Sequence, residues 1–194
     1  LRLLLATRNE HKRREFARLL PGFEVDALSE DVVLPPEEGD TFEANAFGKA
    51  RAVAAATGRI SIADDSGIEA VALGGAPGVY SARYAGEHAT DEQNLAKLLS
   101  EAPAGSSLAY VCALAYVDPV GGVERMFEGR WTGRLADRPR GERGFGYDPA
   151  FVPDEYPSMT AAELSDERKD ELSHRGRAVR ALHAWLAGGM SPTG

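Results

Sequence analysis

From Ala102 to Val117 the chain carries no Asp, Glu, Lys or Arg, the longest such stretch in the sequence. It is too short for a typical membrane-spanning helix and it contains Ser106 and Ser107. Leu108 to Val117 instead reads as the best strand of the chain, Asp118 to Gly122 as its turn, and Val123 to Glu128 as its hairpin partner. A buried strand needs a sheet, and the faces of that sheet need covering layers.

The rest of the chain supplies both. Leu1 to Ala6 predicts a buried first strand, followed by the polar turn Thr7 to His11 and a helix from Lys12 to Leu20, with Phe16, Leu19 and Leu20 on one face. Phe23 to Leu28 predicts a second strand. Asp40 or Thr41 caps an Ala-rich helix, Phe42 to Thr57, which Gly58 ends. Ile60 to Ala63 predicts a strand ending at Asp64-Asp65-Ser66-Gly67, with a further strand over Ile68 to Leu73. Thr90 and Gln93 form a capping box for a helix over Asp91 to Ser100. Trp131 to Leu135 and Ala150 to Val152 extend the sheet. A second capping box, Thr160 with Glu163, starts a short helix to about Asp170, and the last helix runs from near Ser173 to Ala187. The expected fold is α/β with a mixed sheet, in a single domain over 1–187 of at most two small lobes, with Gly188 to Gly194 as a flexible tail.

Composition narrows the function. The formal net charge is -8, which argues against a nucleic-acid-binding stripe but leaves room for a local basic pocket around a small phosphate-bearing ligand. The single cysteine, Cys112, lies in the apolar run and reads as a core residue; one cysteine makes neither an internal disulfide nor a multi-cysteine zinc site. No charged segment ahead of a long apolar core opens the chain, so no signal peptide is expected and the cytoplasm is the natural compartment.

Five segments can carry chemistry, and each has an ordinary alternative. Thr7 to Lys12 joins a strand to a helix N-terminus, where free N–H groups favour an anion, or it is a plain turn. Asp64-Asp65 can hold a hard cation and activate water, or form an acidic turn. Glu37-Glu38 precedes Asn45 and Lys49, which are four apart on one helix face; Lys49 reaches a phosphate or solvent. Phe145-Gly146-Tyr147-Asp148 suits base stacking and base-edge contact, or is a hairpin tip. Lys169, His174 and Arg175 are donors for a base carbonyl or phosphate, or ordinary helix-end charges.

In order, Ala6-Thr7-Arg8-Asn9 with Lys12, Thr41-Phe42 with Asn45-Ala46 and Lys49-Ala50, Ala63-Asp64-Asp65-Ser66-Gly67, Gly74-Gly75-Ala76-Pro77-Gly78 with Ser81-Ala82-Arg83-Tyr84, Gly144 to Pro149, Thr160 to Leu164, and Ser173-His174-Arg175-Gly176 resemble the inosine triphosphate pyrophosphatase family, the Ham1/RdgB-like non-canonical purine NTP pyrophosphatases. The resemblance runs from Leu3 to about Leu186. It implies an elongated mixed sheet flanked by helices, two lobes around a central cleft, and a homodimer. It implies Mg²⁺-dependent hydrolysis of ITP, dITP or XTP to the monophosphate and pyrophosphate, cleansing the nucleotide pool; the charge and the short apolar run lead to no expectation of a nucleic-acid or membrane partner. On matching positions it assigns Thr7, Arg8, Asn9, Glu10, His11, Lys12 and Lys49 to the triphosphate. Asp65 becomes the general base and a metal ligand, with Asp64 and Glu37 as further ligands and Ser66 beside them at the substrate. Phe145, Gly146, Tyr147, Asp148, Lys169, His174 and Arg175 are assigned to the base. The chain departs from the family pattern in carrying Arg8 where a small residue is common and Ala44 where Glu is frequent. The alternatives are a Maf-like pyrophosphatase acting on pyrimidine or modified nucleotides and a binding-only regulator.

Overall fold

Three successive leucines, Leu3 to Leu5, can be buried together only in a strand covered on both faces, and they become the interior of β1 (Arg2–Leu5). The computed structural model describes residues 1–188; of the expected tail, 189–194 lie outside the described residues. The elements that follow are α1 (Glu10–Leu19), β2 (Glu24–Ala27), α2 (Phe42–Thr57), β3 (Ser61–Ala70), α3 (Asp91–Glu101), β4 (Ser107–Asp118), β5 (Val123–Leu135), β6 (Phe151–Pro153), α4 (Asp166–Leu172) and α5 (His174–Ala187). The strands form one six-stranded sheet in the order β2-β1-β3-β4-β5-β6. It is mixed: β1 runs parallel to β2 and β3, and β5 antiparallel to β6.

The chain divides into two compact units. The first comprises Leu1–Asp65, Cys112–Gly129 and the segment from Arg175; the second comprises Ser66–Val111 and Arg130–His174. In the first unit, Leu3, Leu5, Phe16, Leu20, Ile62, Leu114, Tyr116 and Leu182 form one core cluster. A second cluster sets Ala46, Ala50, Val53 and Ala54 of α2 with Leu4, Ala63, Ala113 and Ala115. Small side chains on the inward face of α2 let the helix approach the sheet closely. That proximity buries Asn45 and Lys49, one turn apart on the same helix. Thr41 caps α2 by accepting from the Ala44 N–H at 3.1 Å, and Gly58 ends it with a left-handed φ of 66°.

The core of the second unit gathers Ile68, Leu98, Tyr110, Trp131, Tyr147 and Phe151. Burial of each such large side chain contributes about 1.5–3 kcal/mol. The Thr90–Gln93 capping box forms as expected. Thr160 and Glu163 also form their box, but it heads a single 3-10 turn, and α4 starts afresh at its own cap, Ser165.

Two expected breaks are absent. The sequence predicts Ile60–Ala63 and Ile68–Leu73 as separate strands, but β3 runs through Asp64-Asp65-Ser66-Gly67 as one 10-residue strand, and Val71–Leu73 form a 3-10 turn after it. The acids therefore lie in mid-strand, where successive side chains point to opposite faces. Likewise Val123–Glu128 and Trp131–Leu135 are one 13-residue strand, β5. A Cβ at Gly133 would fall 2.3 Å from the Val152 carbonyl oxygen, so that glycine marks the close approach of β6.

Candidate active site

The Thr7–Lys12 loop is built by its own side chains. The Thr7 hydroxyl accepts from the Asn9 N–H at 3.2 Å, and the Asn9 carboxamide oxygen caps α1 by accepting from the Lys12 N–H at 3.1 Å. Glu10 pairs with Arg13 at 2.9 Å, and His11 is exposed. Arg8 reaches the segment after β2: its Nη2 donates to the carbonyls of Ser29 (3.0 Å), Glu30 (3.2 Å) and Val32 (2.8 Å). It fastens the following loop to this one.

Asp64 and Asp65 have opposite surroundings. The Asp64 Oδ2 accepts from Arg175 Nε at 3.2 Å and Nη2 at 3.0 Å, and Lys12 Nζ lies 3.0 Å away. Arg175 also donates through Nη1 to Glu15, so a buried chain of alternating charge links Glu15, Arg175, Asp64 and Lys12. Burial opposes the Asp64 charge, but Lys12, Arg175 and Lys49 outweigh it and hold the carboxyl well below the ordinary range.

Asp65 accepts at Oδ2 from Asn45 Nδ2 at 2.9 Å, and its Oδ1 lies 4.0 Å from Lys49 Nζ. Lys49 Nζ donates to the Asp64 carbonyl at 2.7 Å and to a Glu37 carboxylate oxygen. Burial pushes the Asp65 carboxyl up, reinforced by Glu37 and only partly offset by Lys49. Glu37 ends below its ordinary value, since Lys49 overcomes the effect of burial. Lys49 ends above its own, because three carboxylates overcome its desolvation. Asn45 also accepts from the Gly39 N–H at 2.8 Å, which ties the segment after Glu37 to α2.

Among the described residues no group of three or more His, Cys, Asp or Glu side chains is placed to hold a metal ion. A magnesium-like ion needs only one or two carboxylates when phosphate oxygens complete its shell. Glu37 and Asp65 already converge on one ammonium, so an all-oxygen pair faces a cation there. The donor set fits such an ion. Asp64 fits less well, its carboxylate being engaged by two cationic side chains.

In the second unit Asp148 is 2% exposed and organises its surroundings. Its Oδ2 accepts from Lys169 Nζ at 2.6 Å and the Phe145 N–H at 2.9 Å, and its Oδ1 from the Tyr110 hydroxyl at 3.0 Å. Lys169 Nζ lies 5.0 Å from the Phe145 ring centroid, a cation–π distance. Gly144 has a φ of 74°, and a Cβ there would meet Asp148 Oδ2 at 2.0 Å; only glycine lets the carboxylate fold under this loop. The Gly146 N–H donates to Asp91 at 2.8 Å, and the Tyr147 hydroxyl to the Ser81 carbonyl at 2.7 Å. The His174 ring stacks on Tyr110 with centroids 4.6 Å apart and planes 5° from parallel.

The structure thus brings Lys12, Glu37, Lys49, Asp64 and Asp65 together in one unit, and Phe145 to Asp148, Lys169 and His174 in the other. Ser66, half-buried, continues β3 in the second unit. Arg175, expected at the base, is 1% exposed, and all three guanidinium nitrogens bond Asp64 or Glu15. Sequence reasoning missed Glu15, Tyr110 and Asp91. A glutamate beside Phe16 on the inward face of α1 was the available signal for the first; the other two read as ordinary strand and helix-start residues. Cys112 is buried, and burial pushes its thiol up to about 12, as befits a core residue.

Compared with protein-family models, residues 3–185 match the one described as Ham1 family. A protein named dITP/XTP pyrophosphatase from Mycolicibacterium paratuberculosis is 48% identical over 191 residues, covering 93% of both chains. One of the same name from Geobacter sulfurreducens is 48% identical over 189 residues, covering 93% of this chain and 94% of its own. The solved structure of a HAM1 protein from Coxiella burnetii matches with a TM-score of 0.86 at 37% identity, covering 97% of this chain and 99% of that one. The Staphylococcus aureus Ham1 protein gives 0.85 at 39% identity, covering 97% and 100%.

Proposed function

The chain belongs to the Ham1 family, and from that membership we infer that it hydrolyses the non-canonical purine triphosphates ITP, dITP and XTP. The bond cut is the α–β phosphoanhydride, the products are the nucleoside monophosphate and pyrophosphate, and the reaction uses Mg²⁺. The observation that carries this reading is the convergence of Glu37 and Asp65 on the Lys49 ammonium.

Asp65 and Glu37 would hold the magnesium ion. When bound, the ion supplies charge neutralisation at phosphate oxygens and acidifies water. Lys12 and Lys49 offset the remaining triphosphate charge, helped by the N–H groups at the start of α1. Asp65 takes the proton of the attacking water. The Asn45 carboxamide, 2.9 Å from its Oδ2, holds the carboxylate in place for that task. Asp64 acts one step back: its negative charge keeps Lys12 and Arg175 ordered. Lys169 and His174 supply donors to the purine edge, where inosine and xanthosine show a carbonyl oxygen and adenine an amino group. A site of fixed donors rejects the wrong edge because buried groups are then left unpaired.

We assign the enzyme to the cytoplasm as a homodimer, as the family resemblance implies. The net charge of -8 and the lone buried cysteine support an intracellular small-molecule enzyme with no nucleic-acid partner. Among the described residues no helix is long and apolar enough to cross a membrane.

The test is hydrolysis with Mg²⁺ across ITP, XTP, dITP, GTP, ATP and dTTP, with pyrophosphate and orthophosphate measured separately. Pyrophosphate from ITP and XTP at rates far above those for ATP and GTP is expected. Preference for dTTP, orthophosphate as the product, or no hydrolysis by folded protein would each refute the reading.

A further inference from the structure

Tyr110 is a β4 residue packed in the second unit's core, 7% exposed. Its ring lies 4.8 Å from that of Phe151 and 6.4 Å from that of Trp131, centroid to centroid. Phenylalanine would serve that packing equally well. The hydroxyl is the part the core does not need, and a phenol is buried without loss only where it finds a partner. Its partner is Asp148 Oδ1, at 3.0 Å. The same ring covers one face of His174, 5° from parallel.

We propose that Tyr110 is the positioning residue of the base-reading cluster, fixing Asp148 through its hydroxyl and His174 through its ring. This rests on the assignment of Lys169 and His174 to the purine. The two oxygens of Asp148 are used differently. Oδ2 holds the Lys169 ammonium and the Phe145 amide, and Oδ1 has the Tyr110 hydroxyl. The terminal torsion of an aspartate is broad and two-fold, so a bond at one oxygen alone leaves the carboxylate free to rock. A donor at the second oxygen removes that freedom, and Lys169 and Phe145 are then fixed with it. The ring works in parallel: with one imidazole face closed by Tyr110, His174 meets a ligand through its edge or its other face.

The experiment is Tyr110→Phe, which keeps the ring and deletes the donor. The KM for ITP and for XTP rises ~3–10-fold, in line with one lost hydrogen bond, while kcat stays within about twofold. A residue that merely stabilises the fold behaves oppositely: its loss lowers the active fraction, so kcat falls and KM holds. A second readout needs no substrate. Hydrogen exchange of the Phe145 amide, which donates to Asp148, accelerates ~10-fold in the variant because its acceptor is no longer fixed. A KM within about twofold of wild type, a kcat loss at constant KM, or unchanged Phe145 exchange each overturns the proposal. Should the wild-type protein hydrolyse no purine triphosphate, the functional reading fails by itself, and the exchange measurement alone decides the role of Tyr110.

Discussion

Replacing Asp64 by Asn and, separately, Asp65 by Asn should give opposite phenotypes although the two residues are neighbours. The Asp64 side chain is 0% exposed and lies 3.0 Å from both Lys12 Nζ and Arg175 Nη2. Breaking a buried ion pair by removing one partner costs about 3–5 kcal/mol, because the other charge stays buried. Asparagine keeps the shape and one acceptor, so the lower end, about 3 kcal/mol, applies. For a chain of this size each kcal/mol moves Tm by about 2–4 °C, so Asp64→Asn should lower it by about 6–12 °C.

At Asp65 the sign reverses. Its carboxyl is pushed up from its ordinary value by burial, so folding disfavours its charge, and removing that charge leaves Tm unchanged or slightly raised. Hydrolysis, by contrast, should collapse in Asp65→Asn while nucleotide binding survives. Thermal unfolding at pH 7 with an ITP assay on the same samples reads both. The Asp64 contribution also has a pH signature. A carboxyl held below its unfolded value stabilises fully above that value, and the contribution is lost as pH falls below about 4. The Tm gap between wild type and Asp64→Asn should therefore narrow as the pH falls from about 5 to about 3. Equal Tm losses in the two variants, or a gap that widens in acid, would refute the division of labour.

Two other outcomes test separate features. Gly144→Ala places a Cβ 2.0 Å from Asp148 Oδ2 at a φ of 74°, so the KM for ITP should rise at least ~10-fold and Tm should fall; kinetics within about twofold of wild type would contradict the geometry. The Cys112 thiol, buried and pushed up to about 12, should resist iodoacetamide at mildly alkaline pH until the protein is unfolded, which mass spectrometry of the native and denatured samples would reveal.

Local signals were legible wherever structure is decided locally. The bounds of α2 follow from the Thr41 cap, the alanine spacing and Gly58, and the two capping boxes formed where their residues stand. The continuous β3 was not legible, because Asp-Asp-Ser-Gly is turn composition by local preference. What keeps it extended is charge from distant segments: Lys12, Lys49 and Arg175 neutralise acids that would otherwise seek water. The same distance in sequence hid the role of Arg175. Beside His174, which stacks on Tyr110 of the second unit, nothing in the sequence shows that Arg175 meets Asp64 and Glu15 of the first. Tyr110 was invisible for another reason: an apolar run gives no sign that one of its hydroxyls has a carboxylate to meet.

The discontinuity of the first unit bears on how the chain is made. Its first strands, β1 and β2, leave the ribosome early, but Arg175, the guanidinium that clamps Asp64 to Glu15, is synthesised only after the last residue of the second unit. At roughly 5–20 residues per second, translation from β3 to that arginine lasts several seconds or more. Throughout that interval Asp64 has Lys12 within its own emerged segment but not Arg175. Nascent chains halted before α5 should therefore remain open to protease and dependent on chaperones, and α5 acts as the latch that lets the first unit close once it has emerged.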